Sequence, residues 1–298
     1  MLSGLAALTL AGTFFTACSA QENTVRIGSY NTRVATGDKN SPVNNWQVRA
    51  PRLIRSIMEN QFDICGFQEV MGPEQVSIPQ MVKEAGGNYD FYFFNPYSPD
   101  GIGPKDISNK GSGIMWRKDR FEAGEPHYFW VSDPPEVMQS NDTKFKRGGF
   151  CLILKDLQNQ GARYFVMVTH AALNKEQRVQ NAHVYLDMER KWNPEGLPSF
   201  FLGDFNAREK DGSSELYRTW WTDSYLYFDA EPSRRSGPKT TFNGWDLDKD
   251  SLDPERRIDY IYFRGKGVKP LRYVCNDTLY DGLYASDHFP IYVDFQVK

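Results

Sequence analysis

Carboxylate, amide and imidazole side chains recur at the ends of apolar segments that have the composition of buried strands. If those segment ends meet in the folded chain, they form an acidic pocket that also holds two histidines. Oxygen donors with few imidazoles and no thiolate favour Mg²⁺ or Mn²⁺ over Zn²⁺. The sequence therefore predicts a hard-cation site built from residues far apart along the chain: Asn31, Glu69, His170, Asp204, Asn206, Asp259, Asp287 and His288.

Two of these positions carry closely spaced pairs. Asp204 and Asn206 are two residues apart, so on a single strand both side chains would face the same side and could hold one water or one phosphate oxygen. Asp287 and His288 are adjacent and would point to opposite sides of an extended chain. That arrangement suits one metal ligand and one acid–base group.

The elements that must position these residues are mostly strands. Alternating or apolar runs predict strands near 24–31, 62–70, 162–170 and 289–295, and helical spacing predicts a helix at 45–60 and another at 175–192. Segments 112–117 and 121–132 are expected to form a hairpin. The helices do not alternate strictly with the strands, and several strands are apolar on both faces. We therefore expect an α/β fold with two mixed sheets packed face to face and helices outside, rather than a doubly wound parallel sheet.

Length and charge narrow the class of protein. The chain has 298 residues, and its formal net charge is −3 with no basic run. A protein specialised for nucleic acid usually carries a positive surface, so polymeric DNA or RNA is the weaker candidate partner. No linker or internal repeat divides residues 21–298, which we expect to form one domain and a monomer.

The first twenty residues differ from the rest because they are apolar, rich in small residues and uncharged. They have the character of an export signal, and the stretch ending at Cys18 is similar to a loose lipobox. We expect an exported, periplasmic or cell-envelope lipoprotein attached through Cys18; a plain cleaved signal is the alternative. The other cysteines, Cys65, Cys151 and Cys275, fit no zinc spacing and are expected to be buried free thiols.

A set of short motifs, in order along about residues 25–298, resembles the endonuclease/exonuclease/phosphatase superfamily of DNase-I-like nucleases, 5-phosphatases and sphingomyelinases. "GDFN" (203–206) and "SDH" (286–288), after "QE" (68–69), are the strongest of them, supported by "SYNTR", "VTH" and "RIDYIYF". Each motif alone is weak, but their order is specific. The resemblance implies a four-layer α/β sandwich and metal-dependent phosphoester hydrolysis.

The same resemblance implies roles for the matching residues. Glu69 corresponds to the main metal ligand, with Asn31 and Asp287 assisting. Asp204 and Asn206 correspond to the pair that orients or deprotonates the attacking water and holds the phosphoryl oxygen. The remaining three are implied to be an imidazole beside the phosphate, its partner carboxylate and a second imidazole that contacts phosphate or the leaving group: His288, Asp259 and His170.

Features outside the motifs favour a small or lipid-linked phosphoester as the substrate. His170 stands where the DNA-repair branch usually has a tyrosine, and segment 128–136 is similar to a stretch of small exported phosphohydrolases. Three arginines, Arg147, Arg234 and Arg235, could meet an additional phosphate, and a solvated loop is the alternative for each. An exported nuclease and a non-catalytic binding module on the same fold remain the alternative functions.

Overall fold

The computed structural model describes residues 24–102, 110–138 and 145–298, and two seven-stranded mixed sheets form its centre. In the first sheet the strands follow the order β11-β13-β14-β1-β2-β4-β3. Their bounds are β1 (Thr24–Asn31), β2 (Ile64–Met71), β3 (Tyr89–Phe94), β4 (Lys110–Arg117), β11 (Arg235–Ser236), β13 (Val268–Cys275) and β14 (Ile291–Val297).

The second sheet has the order β10-β12-β9-β8-β7-β5, and β6 also pairs with β7. Its strands are β5 (Phe121–Ala123), β6 (His127–Trp130), β7 (Gly148–Asp156), β8 (Ala162–His170), β9 (Ser199–Asp204), β10 (Thr222–Asp223) and β12 (Asp259–Arg264). Within the described ranges, four α-helices accompany the sheets: α1 (Trp46–Asn60), α2 (Gly72–Glu84), α3 (Lys175–Trp192) and α4 (Gly212–Arg218).

Three apolar clusters hold these elements in four layers. The central cluster fills the space between the sheets with inward-facing residues such as Ile64 of β2 and Leu202 of β9. A second packs α3 and α4 on the outer face of the second sheet, and a third packs α1 and α2 on the first. Gly66 lets the sheets approach closely, because a Cβ there would lie 3.0 Å from Leu202 Cβ and from Val168 Cγ2.

The helices begin where the sequence supplies caps. The side chain of Asn45 accepts a hydrogen bond from Val48 N at the start of α1, and Asn174 does the same for Gln177 N at the start of α3. Gln61 closes α1 in the left-handed conformation. Both helices predicted from periodicity are therefore confirmed, as is the sandwich of two mixed sheets.

Two local predictions are wrong. Segments 112–117 and 121–132 do not form a hairpin, because β4 pairs with β2 and β3 whereas β5 and β6 pair with β7 of the other sheet. Alternation within a segment does not specify its partner. The last strand begins at Ile291 rather than at residue 289, after Pro290, which has no N–H to donate to a ladder.

Cysteine burial follows the prediction: Cys65, Cys151 and Cys275 are buried free thiols. Within the described ranges, no helix is long and apolar enough to span a membrane. The predicted export signal and Cys18 lie outside the described residues.

Glu74 is a buried carboxyl at the start of α2 with an unusual titration. Its Oε2 accepts hydrogen bonds from Met71 N (2.9 Å) and Ala35 N (3.3 Å), while Oε1 has no partner in the described part of the chain. Burial raises the pKa of Glu74 to about 8, against the opposing effects of the backbone donors and Arg49. The folded protein therefore holds this proton more tightly than the unfolded chain does.

Glu74→Gln is expected to flatten the pH dependence of stability. An unfolded Glu titrates near pH 4.3, so the folded state binds more protons between about pH 4.5 and 8, and the free energy of unfolding falls as pH rises through that window. Urea denaturation at pH 5 and pH 8.5 measures the effect; the variant should lose less stability than the parent. Glu84→Gln, on the exposed end of the same helix, is the control, and identical profiles for all three proteins would contradict the assignment.

Candidate functional site

Strand direction explains why the polar residues fall where they do. In the second sheet β8 and β9 are parallel and β12 is antiparallel to β9, so the start of β12 adjoins the ends of the other two. The register pairs His170 and Asp259 with Asp204, one on each side. Three side chains from distant parts of the chain therefore lie in one row across adjacent strands.

The first sheet contributes from β1 and β2. Asn31 is the last residue of β1 and pairs with Gln68 of the parallel β2. Next to it, Glu69 has a φ of +63° at a bulge, where the pairing of β2 with β4 shifts register between Gln68 and Val70. A non-glycine residue in this conformation is strained, and such strain at a bulge re-aims a side chain. The bulge therefore points the Glu69 side chain in a direction that the regular alternation of side chains along a strand would not give.

Asp287 and His288 sit in the turn that leads into β14, which is antiparallel to β1. Ser286 Oγ donates to Asn31 O (2.7 Å), which ties this turn to the end of β1. On its other side, Asn243 N donates to Asp287 O (2.8 Å). The turn is thus held from both sides at the place where the two sheets meet.

One oxygen, Asp204 Oδ2, is the centre of the arrangement. Asn31 Nδ2 donates to it at 3.0 Å, and His170 Nε2 lies 3.4 Å away. His288 Nε2 lies 3.8 Å from the same atom. Asp204 is only 2% exposed, so these contacts operate with little screening by water.

His288 and Asp259 form a buried dyad. His288 Nδ1 lies 2.9 Å from Asp259 Oδ2, and Thr241 Oγ1 donates to the same oxygen at 2.6 Å. The hydroxyl of Thr241 in turn accepts from Asp259 N (3.0 Å). The carboxylate therefore has a fixed orientation and holds the His288 ring in place.

The two histidines are driven to opposite protonation states. Burial lowers the pKa of His288, but the charges of Asp259, Asp204 and Asp287 raise it by more, so the net pKa is about 10. Burial lowers the pKa of His170 well below its usual range, and the charges of Arg147 and Lys110 add to that effect. The site therefore combines an imidazolium with a neutral imidazole.

Asp204 is a carboxyl whose charge is suppressed. Burial, and then the charge of Asp259, raise its pKa to about 7, although His288 and the donors Asn206 N and Asn31 Nδ2 oppose this effect. A carboxyl that gains and loses a proton near neutral pH is suited to acid–base work.

Glu69 and Asp287 are both held by cations. Lys110 Nζ lies 3.3 Å from Glu69 Oε1, and Arg33 lies 3.3 Å from Asp287 Oδ2. Burial raises the pKa of Glu69, but Lys110 and His288 lower it more, so the net shift is downward. Burial raises the pKa of Asp287. Two carboxylates that both draw in positive charge have the chemistry of a cation site.

The donor set fits a hard divalent ion at Glu69. Asn31, Glu69 and Asp287 offer only oxygen ligands, as Mg²⁺ and Mn²⁺ prefer. A second group is compact: in the described part of the chain, ligand atoms of Asp204, Asp259 and His288 lie within 4.8 Å of one another. That group fits a metal less well, because Asp259 Oδ2 already contacts His288 Nδ1 (2.9 Å) and accepts a hydrogen bond from Thr241 Oγ1 (2.6 Å).

One expectation about Asn206 is wrong. β9 ends at Asp204, and Asn206 lies beyond it with a φ of +49°, so the two side chains do not share a strand face. Instead Asn206 N donates to Asp204 Oδ1 (2.9 Å), and Asn206 Nδ2 donates to Ala171 O (3.1 Å). The left-handed turn, and not strand alternation, brings Asn206 to the pocket.

The site opens into a cavity of about 220 Å³. Six of the eight predicted residues line it, while Asn31 and Asp259 lie behind as hydrogen-bonding partners. Of the three proposed phosphate arginines, only Arg147 lines the cavity. Arg234 pairs with Glu231 and Arg235 with Asp229, and neither lines the cavity.

Sequence reasoning missed several residues of the cavity wall. Arg33 is the last residue of the "SYNTR" motif, which is a signal that could have identified it. Ile258 lies inside the "RIDYIYF" motif. The others lie outside the quoted motifs, and loops and the start of β4 bring them to the cavity: Lys110, Phe145, Leu173, Phe242 and Arg256.

A buried arginine supports the loops that carry the predicted ligands. Arg49 of α1 donates to Thr32 O (2.7 Å) and Arg33 O (2.5 Å) after β1, and to Ala285 O (3.4 Å) before β14. Its guanidinium is fully buried, and Trp46 packs against it at 5.0 Å. Arg49 therefore links the backbone on both sides of the site.

Comparisons with known proteins agree on one fold. The model of the Endonuclease/Exonuclease/phosphatase family matches residues 28–288. No curated protein sequence gives a significant match. Among solved structures, an endonuclease/exonuclease/phosphatase family protein from Bacteroides thetaiotaomicron is 24% identical, with a TM-score of 0.77 over 92% of this chain and 98% of that one.

Two further solved structures belong to differently named proteins. A mannosyl-6-phosphatase from Bacteroides thetaiotaomicron is 25% identical, with a TM-score of 0.75 over 91% of this chain and 99% of that one. The D. rerio TDP2, complexed with single-strand DNA product, is 20% identical, with a TM-score of 0.65 over 91% of this chain and 98% of that one.

Proposed function

Because this chain belongs to the endonuclease/exonuclease/phosphatase family, we propose that it hydrolyses a small or lipid-linked phosphoester with the help of Mg²⁺ or Mn²⁺. The observation that carries the proposal is the convergence on Asp204 Oδ2 of Asn31, His170 and His288 from three other parts of the chain. Apolar side chains would stabilise the fold better than this buried polar cluster does. A functional role therefore explains the cluster under the open cavity better than a structural role.

In this proposal Glu69, Asn31 and Asp287 hold the metal. The bound ion would neutralise the charge of the phosphoester and stabilise the leaving oxygen. Lys110 pairs with Glu69, and Arg33 pairs with Asp287. Both cations therefore lie where they can also place positive charge beside the substrate.

The residues around Asp204 would supply the rest of the chemistry. Asp204, with a pKa near 7, accepts the proton of the attacking water and holds that water in line. Asn206 helps to orient the water and the phosphoryl oxygen. His288, kept protonated by Asp259, donates hydrogen bonds to the charge that develops on the phosphoryl group, and preorganised donors of this type contribute about 3 kcal/mol each. Neutral His170 contacts a phosphate oxygen or the leaving group.

The size of the cavity and the charge of the protein support a small substrate. A cavity of about 220 Å³, walled in part by Leu173, Phe145 and Phe242, suits one phosphoryl group and a compact leaving group. A net charge of −3 does not attract a polyanion. The similarity to a mannosyl-6-phosphatase adds phosphorylated sugars to the lipid head groups as candidates.

A substrate panel with and without metal tests the proposal. Chelated protein should turn over none of p-nitrophenyl phosphate, bis-p-nitrophenyl phosphate, mannose 6-phosphate, inositol phosphates or sphingomyelin. Added Mg²⁺ or Mn²⁺ should restore turnover of at least one of them. Degradation of plasmid DNA without turnover of small esters would instead identify a nuclease. No turnover of any substrate would favour the non-catalytic binding module.

We also propose export to the periplasm or cell envelope, with a lipid on Cys18. The apolar character of residues 1–20 supports this placement. Mass spectrometry of the mature protein tests it: a lipidated N-terminal Cys18 is expected, and a soluble form that starts after Ala20 would contradict it.

A further inference from the structure

Arg256 occupies a defined position at the mouth of the cavity. Its guanidinium carbon lies 3.7 Å over the ring of Phe242, and that ring packs edge-on against His288 with 5.0 Å between centroids. The backbone here is fixed, because Thr241 N donates to Arg256 O (3.2 Å) and Phe242 forms a β-bridge with His288. One aromatic ring thus separates the Arg256 guanidinium from the predicted phosphate-binding imidazolium.

The charge of Arg256 has no counterpart in the described part of the chain. Among residues 24–102, 110–138 and 145–298, no carboxylate or carbonyl forms an ion pair or hydrogen bond with its guanidinium, whereas Arg33 pairs with Asp38 and Asp287, and Lys110 pairs with Glu69. Its neighbour Arg257 is also engaged, with Asp223. Arg256 is therefore an exposed cation whose stacking leaves its N–H groups available to an acceptor from solution.

We propose that Arg256 is a specificity residue that binds a second anionic group of the substrate, a phosphate or a carboxylate on the leaving group. This inference rests on the proposed function of the site, because it assumes that the reacting phosphoryl group lies at His288. A guanidinium presents a planar pair of donors that matches either anion in a bidentate contact. The Phe242 ring lies between Arg256 and His288, so the second anionic group must lie about one ring's width from the reacting phosphoryl group.

The test compares substrates that differ by one anionic group. For mannose 1,6-bisphosphate and mannose 6-phosphate, Arg256→Gln should lower kcat/KM for the bisphosphate by about 10- to 100-fold, as expected for a lost charge-assisted contact. It should change the value for the monophosphate by less than about 3-fold. The loss should appear mainly in KM, because the contact is remote from the reacting atoms. Arg256→Lys, which keeps the charge without the planar fork, should fall between the parent and Arg256→Gln.

A matched control separates this role from a structural one. Arg190 of α3 lies 4.5 Å over the ring of Trp220, so Arg190→Gln removes a similar stacked arginine that does not line the cavity. It should change kcat/KM for neither substrate. An equal loss for both substrates in Arg256→Gln would mean that Arg256 only supports Phe242 and His288. No loss for either substrate would also overturn the proposal.

Binding gives a second readout that does not depend on turnover. With Ca²⁺ in place of Mg²⁺, calorimetry should give tighter binding of the bisphosphate than of the monophosphate to the parent protein, and Arg256→Gln should abolish that preference. If the parent turns over no substrate, the proposed hydrolase function fails. The ratio of the affinities for the bisphosphate and the monophosphate then decides the role of Arg256 alone. Equal affinities of the parent for the two compounds would overturn the inference.

Discussion

Asp204→Asn is expected to lower kcat for phosphoester hydrolysis by about 100- to 10 000-fold, which is the usual contribution of a positioned acid–base group. The substitution keeps the shape of the side chain but removes its ability to accept a proton. It also places an amide where Asn31 Nδ2 and His288 Nε2 now approach a carboxylate oxygen at 3.0 and 3.8 Å. Both the attacking water and the side chains of Asn31 and His288 should therefore lose their orientation. Steady-state kinetics with the best substrate of the panel measures the loss.

Two comparisons keep this prediction specific. Asp187→Asn removes an exposed carboxylate that pairs with Arg190 on α3 outside the cavity, and it should leave kcat within about 3-fold of the parent. Circular dichroism and thermal unfolding must show that the Asp204 variant is folded; if it is not, His288→Gln offers a second route, with an expected loss of about 100-fold or more. Turnover that survives both substitutions in folded protein would remove the mechanism.

Glu69→Gln is expected to weaken binding of Mg²⁺ or Mn²⁺ by at least about 100-fold, because outer partners of metal ligands alone contribute 10- to 100-fold. The variant keeps an oxygen donor but loses the negative charge that now attracts Lys110. Without that charge the Lys110 ammonium loses its partner and repels an incoming cation. Titration calorimetry of the chelated protein measures the affinity directly, without reference to any substrate.

Glu74→Gln is the matched control for Glu69→Gln. Glu74 is also buried and close in sequence, but it does not line the cavity, so its substitution should leave metal affinity within about 3-fold of the parent. Phosphoester turnover by the Glu69 variant should recover in part at high metal concentration, since the catalytic residues of the second sheet are intact. Unchanged metal affinity in Glu69→Gln would mean that the ion lies elsewhere.

The residues of the site could be predicted because polar residues at the ends of apolar strands can be recognised in the sequence. Asn31, His170 and Asp204 each end a strand, and Asp259 begins one that runs the other way. Side chains at such positions meet at one edge of a sheet, whatever their separation along the chain. The row of His170, Asp204 and Asp259 is the structural form of that pattern.

Other features depend on geometry that alternation does not encode. The direction of Glu69 comes from a bulge, and the position of Asn206 comes from a left-handed residue after its strand, neither of which a period of two residues can indicate. Lys110 and Arg256 lie outside the quoted motifs and reach the cavity from the start of β4 and from the loop before β12. The strand partners of β4 and β5 depend on which sheet each strand joins. Tertiary packing determines this, and the local sequence does not.

The most direct test of the central claim is the position of a bound ion. A crystal grown with Mn²⁺ and measured for anomalous scattering would locate it without any assumption about the substrate. We predict one peak next to the Glu69 carboxylate, within coordination distance of an oxygen of Asn31 or Asp287. A peak coordinated by His288 and Asp259 instead, or no peak in the cavity at saturating Mn²⁺, would contradict the proposed centre.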